Sequence, residues 1–294
     1  MEEDSSVGGS RLKPRLVRGI RWVPRRGIEL LSRFEPTRRA LYEYYDKRSK
    51  RTMRAAPVHP FDNQYGIRTS GSLPGSVLRL GYSIKNTTAR VGYLGVQPSV
   101  IRRVLNIIPH HNNATFLDLG CGKGRALVVA SEFPFRSVIG VEISPELVQL
   151  AEKNAQVIAR NHPERTPITV VGGDASNYPL PEGNLIVFLY NPFEKEVITE
   201  LLKNIETALA DRDSSVWIVY ANPVCGHIFD TSSTLCRIYA ESISYDSGEI
   251  PFSLDSSDVV VIWQDVKSAS GAASEGAGRP IVVTKFGLRA ELAD

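Results

Sequence analysis

Cysteine is almost missing from this chain: Cys121, Cys225 and Cys236 are the only three among 294 residues, scattered and odd in number. That excludes a disulfide-built secreted domain and suits a reducing compartment, so a cytoplasmic protein is expected. The five histidines, His59, His110, His111, His162 and His227, show no His-x-x-x-His spacing, and no Cys-x-x-Cys occurs. No metal site is expected from such a set. A nucleophile elbow is also lacking, which removes the usual signature of covalent acyl transfer. No apolar run approaches the roughly 20 residues of a membrane-spanning helix, so a soluble protein without a transmembrane segment is expected. The acidic start Met-Glu-Glu-Asp-Ser-Ser has no apolar stretch behind it, which argues against a secretory signal. No internal repeat is evident, and 42% hydrophobic residues suffice for a sizeable core.

What is present is concentrated at residues 115 to 125, Thr-Phe-Leu-Asp-Leu-Gly-Cys-Gly-Lys-Gly-Arg, an apolar strand running into a turn with Gly120, Gly122 and Gly124. Alternate glycines let the main chain pass close to a bound molecule, and the apolar spacing after them predicts a helix whose first N–H groups face the loop. Strand, glycine loop and helix N-terminus together predict a nucleotide cradle. Two further strand ends agree. Ser-Val-Ile-Gly-Val at 137 to 141 is followed by Glu142, 24 residues after Asp118, where a carboxylate would grip the hydroxyls of a ribose. Ile-Thr-Val-Val-Gly at 168 to 172 runs into Gly173, Asp174 and Ala175, which sets another carboxylate at the same edge. Each aspartate has a plainer use as well: Asp118 fixing the turn, Asp174 capping a helix.

In order, Leu-Asp-Leu-Gly-Cys-Gly-Lys-Gly, Gly-Val-Glu and Gly-Gly-Asp-Ala resemble the class I S-adenosylmethionine-dependent methyltransferases, over roughly residues 93 to 265. The resemblance implies a seven-stranded, mostly parallel, doubly wound α/β sheet with an N-terminal helical or irregular extension. It also implies S-adenosylmethionine as cofactor. By that likeness Asp118 and the loop of Gly120, Cys121, Gly122 and Gly124 hold the methionine end, Glu142 the ribose, and Asp174 with Ala175 the adenine. Cys121 reads as a small packing residue. Tyr93 and Gln97, ahead of a helix expected over 99–108, are expected to cover the cofactor.

The acceptor end is read from Leu185 to Glu194, Leu-Ile-Val-Phe-Leu-Tyr-Asn-Pro-Phe-Glu, a buried central strand stopped by Asn-Pro. The segment is similar to the Asn-Asn-Phe-x-Phe strand end of the non-SET histone-lysine methyltransferases. Together with Val-Tyr-Ala-Asn-Pro-Val at 219 to 224 it resembles an uncharacterised bacterial group. Asn191 and Phe193 are therefore the expected substrate-holding residues, with Tyr190 a core or rim residue. Tyr220 and Asn222 either line the same crevice or satisfy buried backbone groups. The Tyr93-Leu94-Gly95-Val96-Gln97 stretch keeps the Tyr of the histone-lysine type but lacks its Glu-Thr pair.

Charge divides the chain unevenly, because residues 11 to 54 hold 15 Lys or Arg against 4 Asp or Glu while the whole chain is only +3. This basic N-terminal arm, residues 1–54 with a helix expected after Pro36, is either a solvated arm or a nucleic-acid phosphate binder. An irregular cover is expected at 55–110, with Phe61 to Gly71 rich in turn formers. The core is expected at 111–266 and a flexible linker and tail at 267–294, in which Ile281 to Thr284 either adds an edge strand or hangs free. The resulting expectation is methyl transfer to a protein side chain, a lysine or another amine, or to a small molecule. A nucleic-acid methyltransferase and a cofactor-binding scaffold without catalysis are the alternatives.

Overall fold

The order of elements in the computed structural model follows the expected alternation. After α1 (Pro60–Tyr65) and α2 (Pro98–Ile107) come β1 (Ala114–Leu119), α3 (Arg125–Ala130), β2 (Ser137–Glu142), α4 (Pro145–Asn161) and β3 (Ile168–Gly172). Then follow β4 (Asn184–Tyr190), α5 (Lys195–Ala210), β5 (Val216–Ala221), β6 (Leu235–Ser244), β7 (Ser257–Asp265), β8 (Ile281–Thr284) and β9 (Arg289–Leu292). The structure describes residues 57–72, 93–109, 111–211, 213–253, 255–269, 274, 276–284 and 289–293. The basic arm and the helix expected after Pro36 lie outside the described residues.

Seven strands form one sheet in the order β3-β2-β1-β4-β5-β7-β6, parallel except for β7, which runs antiparallel to both neighbours. This is the seven-stranded, mostly parallel α/β sheet that the sequence predicts. Every residue of β1 and β5 is buried, as is the middle of β4, because helices cover both faces. Along β4 the side chains alternate between two cores: Ile186 and Phe188 on one face, Leu185, Val187 and Leu189 on the other. The first core is closed by α1, α2 and α3, the second by α5 and the short helical turn Gly226–Thr231. Local chemistry sets the helix starts. Ser144 caps α4 by accepting from the Leu147 N–H, Pro145 presets the first turn, and Glu146 meets the positive end of the helix dipole.

Two expectations give way to tertiary structure. Phe61 to Gly71 does not stay irregular throughout: α1 forms where His59 Nδ1 accepts from the Phe61 N–H, Pro60 starts the turn and Phe61 and Tyr65 are buried. The helix stops at Gly66, whose φ of 68° lets the chain reverse. The tail expected to be flexible is folded where it is described. β8 and β9 pair antiparallel as a separate two-stranded ladder, and the Ala290 N–H donates to Asn222 Oδ1 at the end of β5. Among the described residues no helix is long and apolar enough to cross a membrane, and no cluster suits a metal ion.

Candidate cofactor and acceptor site

The C-terminal ends of β1, β2, β3, β4 and β5 lie along one edge of the sheet, and the expected site residues gather there. Gly120 and Cys121 N–H both donate to the Val141 carbonyl, which ties the glycine loop to the end of β2. The loop then runs through positive φ: 89° at Gly120, 56° at Gly122 and 80° at Gly124. Space demands glycine as much as angle does. A Cβ on Gly122 would stand 2.4 Å from the Tyr93 ring, and one on Gly120 would stand 2.8 Å from Pro192 Cβ. The loop is therefore closed over by Tyr93 on one side and by the Asn191-Pro192-Phe193 turn on the other, with Phe193 Cζ 3.7 Å from the Gly120 position.

Glu142 stands at the end of β2 and accepts from two backbone groups, Gly122 N–H at 2.9 Å and Ser144 N–H at 2.8 Å. Asp118, deep in β1, is held well above the usual carboxylate range, first by burial and then by the neighbouring Glu142. Two buried carboxyl groups near enough for one to raise the other's pKa disfavour being charged together, and a cationic ligand group beside them would relieve that repulsion. Cys121 is buried, with its thiol pushed up by burial and by Asp118, and its Sγ lies 2.8 Å from where a Cβ on Gly140 would be. It is a protonated packing residue between the loop and β2.

The remaining expected residues divide. Asp174 caps the helical turn Ala175–Asn177 by accepting from Ser176 N–H at 3.0 Å and Ser176 Oγ at 2.8 Å, and Ala175 is buried beside it. Tyr93 is brought to the loop, its ring against Gly122 and its hydroxyl donating to the Thr69 carbonyl at 2.6 Å. Gln97, the N-cap of α2, is buried with its Oε1 2.9 Å from His59 Nε2. Burial lowers the His59 pKa, and its neutral ring donates to Gln97 from Nε2 while Nδ1 caps α1. Just past the end of β4, Asn191 has φ 39° and accepts from the Tyr220 hydroxyl at 3.4 Å. Asn222 repeats the same turn on the next strand with φ 48°, each Asn preceding a proline. Among non-glycine residues asparagine tolerates this left-handed conformation best, so both Asn-Pro pairs end their strands by bending the chain back over the edge. Asn222, however, uses its side-chain carbonyl on the Ala290 backbone, so the backbone-satisfying alternative applies there.

Sequence reasoning missed a clasp of buried polar residues that seats residues 59–72 on the glycine loop. The Asp62 carboxylate collects the N–H groups of Thr69 and Ser70, both at 2.7 Å, and the hydroxyls of the same two residues. Arg125 Nε donates to Thr69 Oγ1 at 2.7 Å, and Lys123 Nζ donates to the Ser70 carbonyl while lying 4.7 Å from the Tyr93 ring centre. Asn154 of α4 completes it, donating to the Lys123 carbonyl at 2.9 Å and accepting from Arg68 N–H at 2.9 Å. Burial pushes the Lys123 ammonium down to about 8, and Arg125 adds to the effect. In the sequence Lys123 and Arg125 look like ordinary loop charges; no local pattern announces partners 53 and 56 residues earlier.

Comparison with known proteins adds the following. Residues 116–212 match the family model described as a methyltransferase domain. A protein-lysine N-methyltransferase of Saccharolobus islandicus (strain REY15A) is 34% identical over 67 residues, which are 22% of this chain and 42% of that protein. The chain thus spans less than half the length of the curated relative it matches. Among solved structures, an RNA methyltransferase from Salinibacter ruber in complex with S-adenosyl-L-homocysteine is similar with a TM-score of 0.40 and 16% identity, covering 62% of this chain and 100% of that one. TrmN from Thermus thermophilus is similar with a TM-score of 0.43 and 15% identity, covering 58% of this chain and 49% of that one.

Proposed function

We propose, from the methyltransferase domain that residues 116–212 form, that this protein transfers the methyl group of S-adenosylmethionine to an amine, a lysine side chain of a protein being the favoured acceptor. The observation that carries the reading is the cradle at one sheet edge. A glycine loop in which a Cβ would collide with Tyr93 or Pro192 lies directly between the buried Asp118 and Glu142. These residues fit the cofactor. The loop's main chain and Asp118 would take its methionine end, Glu142 its ribose, and the turn at Asp174 and Ala175 its adenine. Bound there, S-adenosylmethionine would supply an electrophilic methyl carbon on a cationic sulfur.

What this chain's own residues contribute is alignment and a dry site. Asp118 and Glu142 compensate positive charge on the ligand. Tyr93 and the clasped segment 59–72 close over the loop and keep water from it. Asn191, turned back over the edge and fixed by Tyr220, presents its side-chain amide where an amine nitrogen would accept the methyl, and Phe193 limits the approach. A neutral acceptor amine beside Asn191 would take that methyl, the carbon–sulfur bond electrons would stay with the cofactor's sulfur, and the product ammonium would lose its proton to solvent.

Titration calorimetry tests the cofactor: wild type is expected to bind S-adenosylmethionine and Glu142→Ala to bind at least tenfold more weakly. Equal affinity in both would overturn the reading. Transfer of a labelled methyl into lysate tests the acceptor, with label released by protease expected. Nuclease-released label would instead favour a nucleic-acid substrate held by the basic residues 11–54, and cofactor binding without any transfer would favour a scaffold.

A further inference from the structure

The acceptor edge carries a second charged recess that none of the residues above accounts for. Because β7 runs antiparallel, its first residues lie at the same edge as the last residues of β4 and β5. There Asp258 is fully buried, and one of its oxygens, Oδ2, has no well-aligned hydrogen bond among the described residues, although the Tyr190 and Tyr245 phenols border it. Asp255 stands beside it. Into this recess comes a guanidinium from the far end of the chain: Arg289 Nη1 lies 2.8 Å from Asp258 Oδ1 and 3.3 Å from Asp255 Oδ2, and Nη2 donates to the Ser257 carbonyl. The next residue, Ala290, is pinned to Asn222 at the end of β5. An arginine of the tail thus fills a carboxylate-and-phenol recess beside the strand end where the methyl acceptor is proposed to sit.

We infer that the Asp255–Asp258–Tyr190–Tyr245 recess is a subsite for a basic side chain of the methyl acceptor, and that Arg289 occupies it as an internal stand-in until a substrate displaces it. The inference rests on the methyl-transfer reading above. Geometry sets which residue of a substrate reaches it. One strand, β5, separates β4 from β7, and at about 4.8 Å per strand the recess lies roughly 10 Å from the Asn191 turn. An extended peptide advances about 3.3 to 3.6 Å per residue, so the recognised cation belongs to a residue about three positions from the one methylated. One fully buried and one partly exposed carboxylate, 0% and 22%, favour a cation with planar, multiple donors, and a guanidinium is already seated there.

Two measurements on the full chain test this. In Arg289→Ala the recess is vacated, so methylguanidinium at millimolar concentration is expected to raise its melting temperature by about 2 °C over sodium chloride at equal ionic strength. The wild type and Asp258→Asn/Arg289→Ala are expected to show no such rise. If Arg289→Ala does not fold, Arg289→Gln, which keeps donors in the recess, serves the same comparison. No cation-specific rise in a folded variant would overturn the subsite. The second measurement uses synthetic peptides with one lysine and, three residues away, either Arg or Gln. Wild type is expected to methylate the Arg peptide with at least fivefold lower KM, Asp258→Asn to lose that preference, and Arg289→Ala to lower KM for the Arg peptide further. A methylguanidinium effect with no peptide preference would mean that the recess serves the tail alone and would overturn the substrate assignment. Absence of S-adenosylmethionine binding would defeat the methyl-transfer reading instead, while leaving the methylguanidinium result readable by itself.

Discussion

Lys123→Met separates the energetic role of the clasp from that of the fold, and the structure fixes both the sign and the size of the effect. Lys123 is almost fully buried and its ammonium is pushed down to about 8 from the ordinary lysine value of 10.5. Below pH 8 the side chain is charged in the folded and unfolded states alike, and folding carries the full cost of burying that charge. As pH rises through 8 the folded protein releases the proton while the unfolded chain keeps it, so wild-type stability increases until about pH 10.5. At 1.36 kcal/mol per pH unit that gain is about 3 kcal/mol, or about 1 M in the urea midpoint for a chain of this size. Methionine keeps the volume but removes both the charge and the donor to the Ser70 carbonyl, a charged hydrogen bond contributing about 1.5 to 3 kcal/mol. The two effects nearly offset each other at pH 7, where the two proteins are expected to unfold at similar urea concentrations. Above pH 8 they diverge, wild type gaining and the variant not. Other groups titrate in the same range, so the quantity to follow is the difference between the two proteins at each pH. A difference that stays constant from pH 7 to pH 10.5 would refute the buried-ammonium account.

Three further outcomes follow from the same geometry. Gly122→Ala puts a Cβ 2.4 Å from the Tyr93 ring at a φ of 56°, so a loss of about 1 to 2 kcal/mol from the backbone alone is expected, with cofactor affinity falling as Tyr93 is displaced. Pairing it with Tyr93→Ala relieves the collision but not the backbone cost, and urea unfolding of the two proteins reads the difference. Cofactor binding by wild type is expected to release protons, because a cationic ligand group brings the Asp118 carboxyl down from its raised position; affinity should therefore rise with pH from the acid side, and calorimetry in buffers of different ionisation enthalpy checks this. Asn191→Gly keeps the positive φ of 39° but removes the amide, so kcat is expected to fall tenfold or more with the S-adenosylmethionine dissociation constant unchanged. An equal loss in Asn191→Gly and in cofactor affinity would assign Asn191 to the loop rather than to the acceptor.

The central strands and the glycine loop were legible because their signals are local. A strand buried on both faces must be apolar throughout, as Leu185 to Leu189 and Val216 to Ala221 are, and a loop passing through positive φ requires glycine, as at Gly120 and Gly122. The acidic Glu142 was placed by its distance from that loop along the chain. The sequence by itself therefore determined the sheet, the glycine loop and the edge at which they meet. Pairing across long separations is a different matter. Nothing near Lys123 or Arg125 points to Ser70 and Thr69, nothing near Arg289 points to Asp258 of β7, and nothing near Gln97 points to its histidine partner 38 residues earlier. Tertiary structure alone decided that the tail folds onto the C-terminal end of β5 and that residues 59–72 are clasped to the glycine loop. A buried charge or polar group takes whichever partner the packed chain brings within hydrogen-bond reach, and the cost of leaving it unpaired, not any local pattern, fixes the choice.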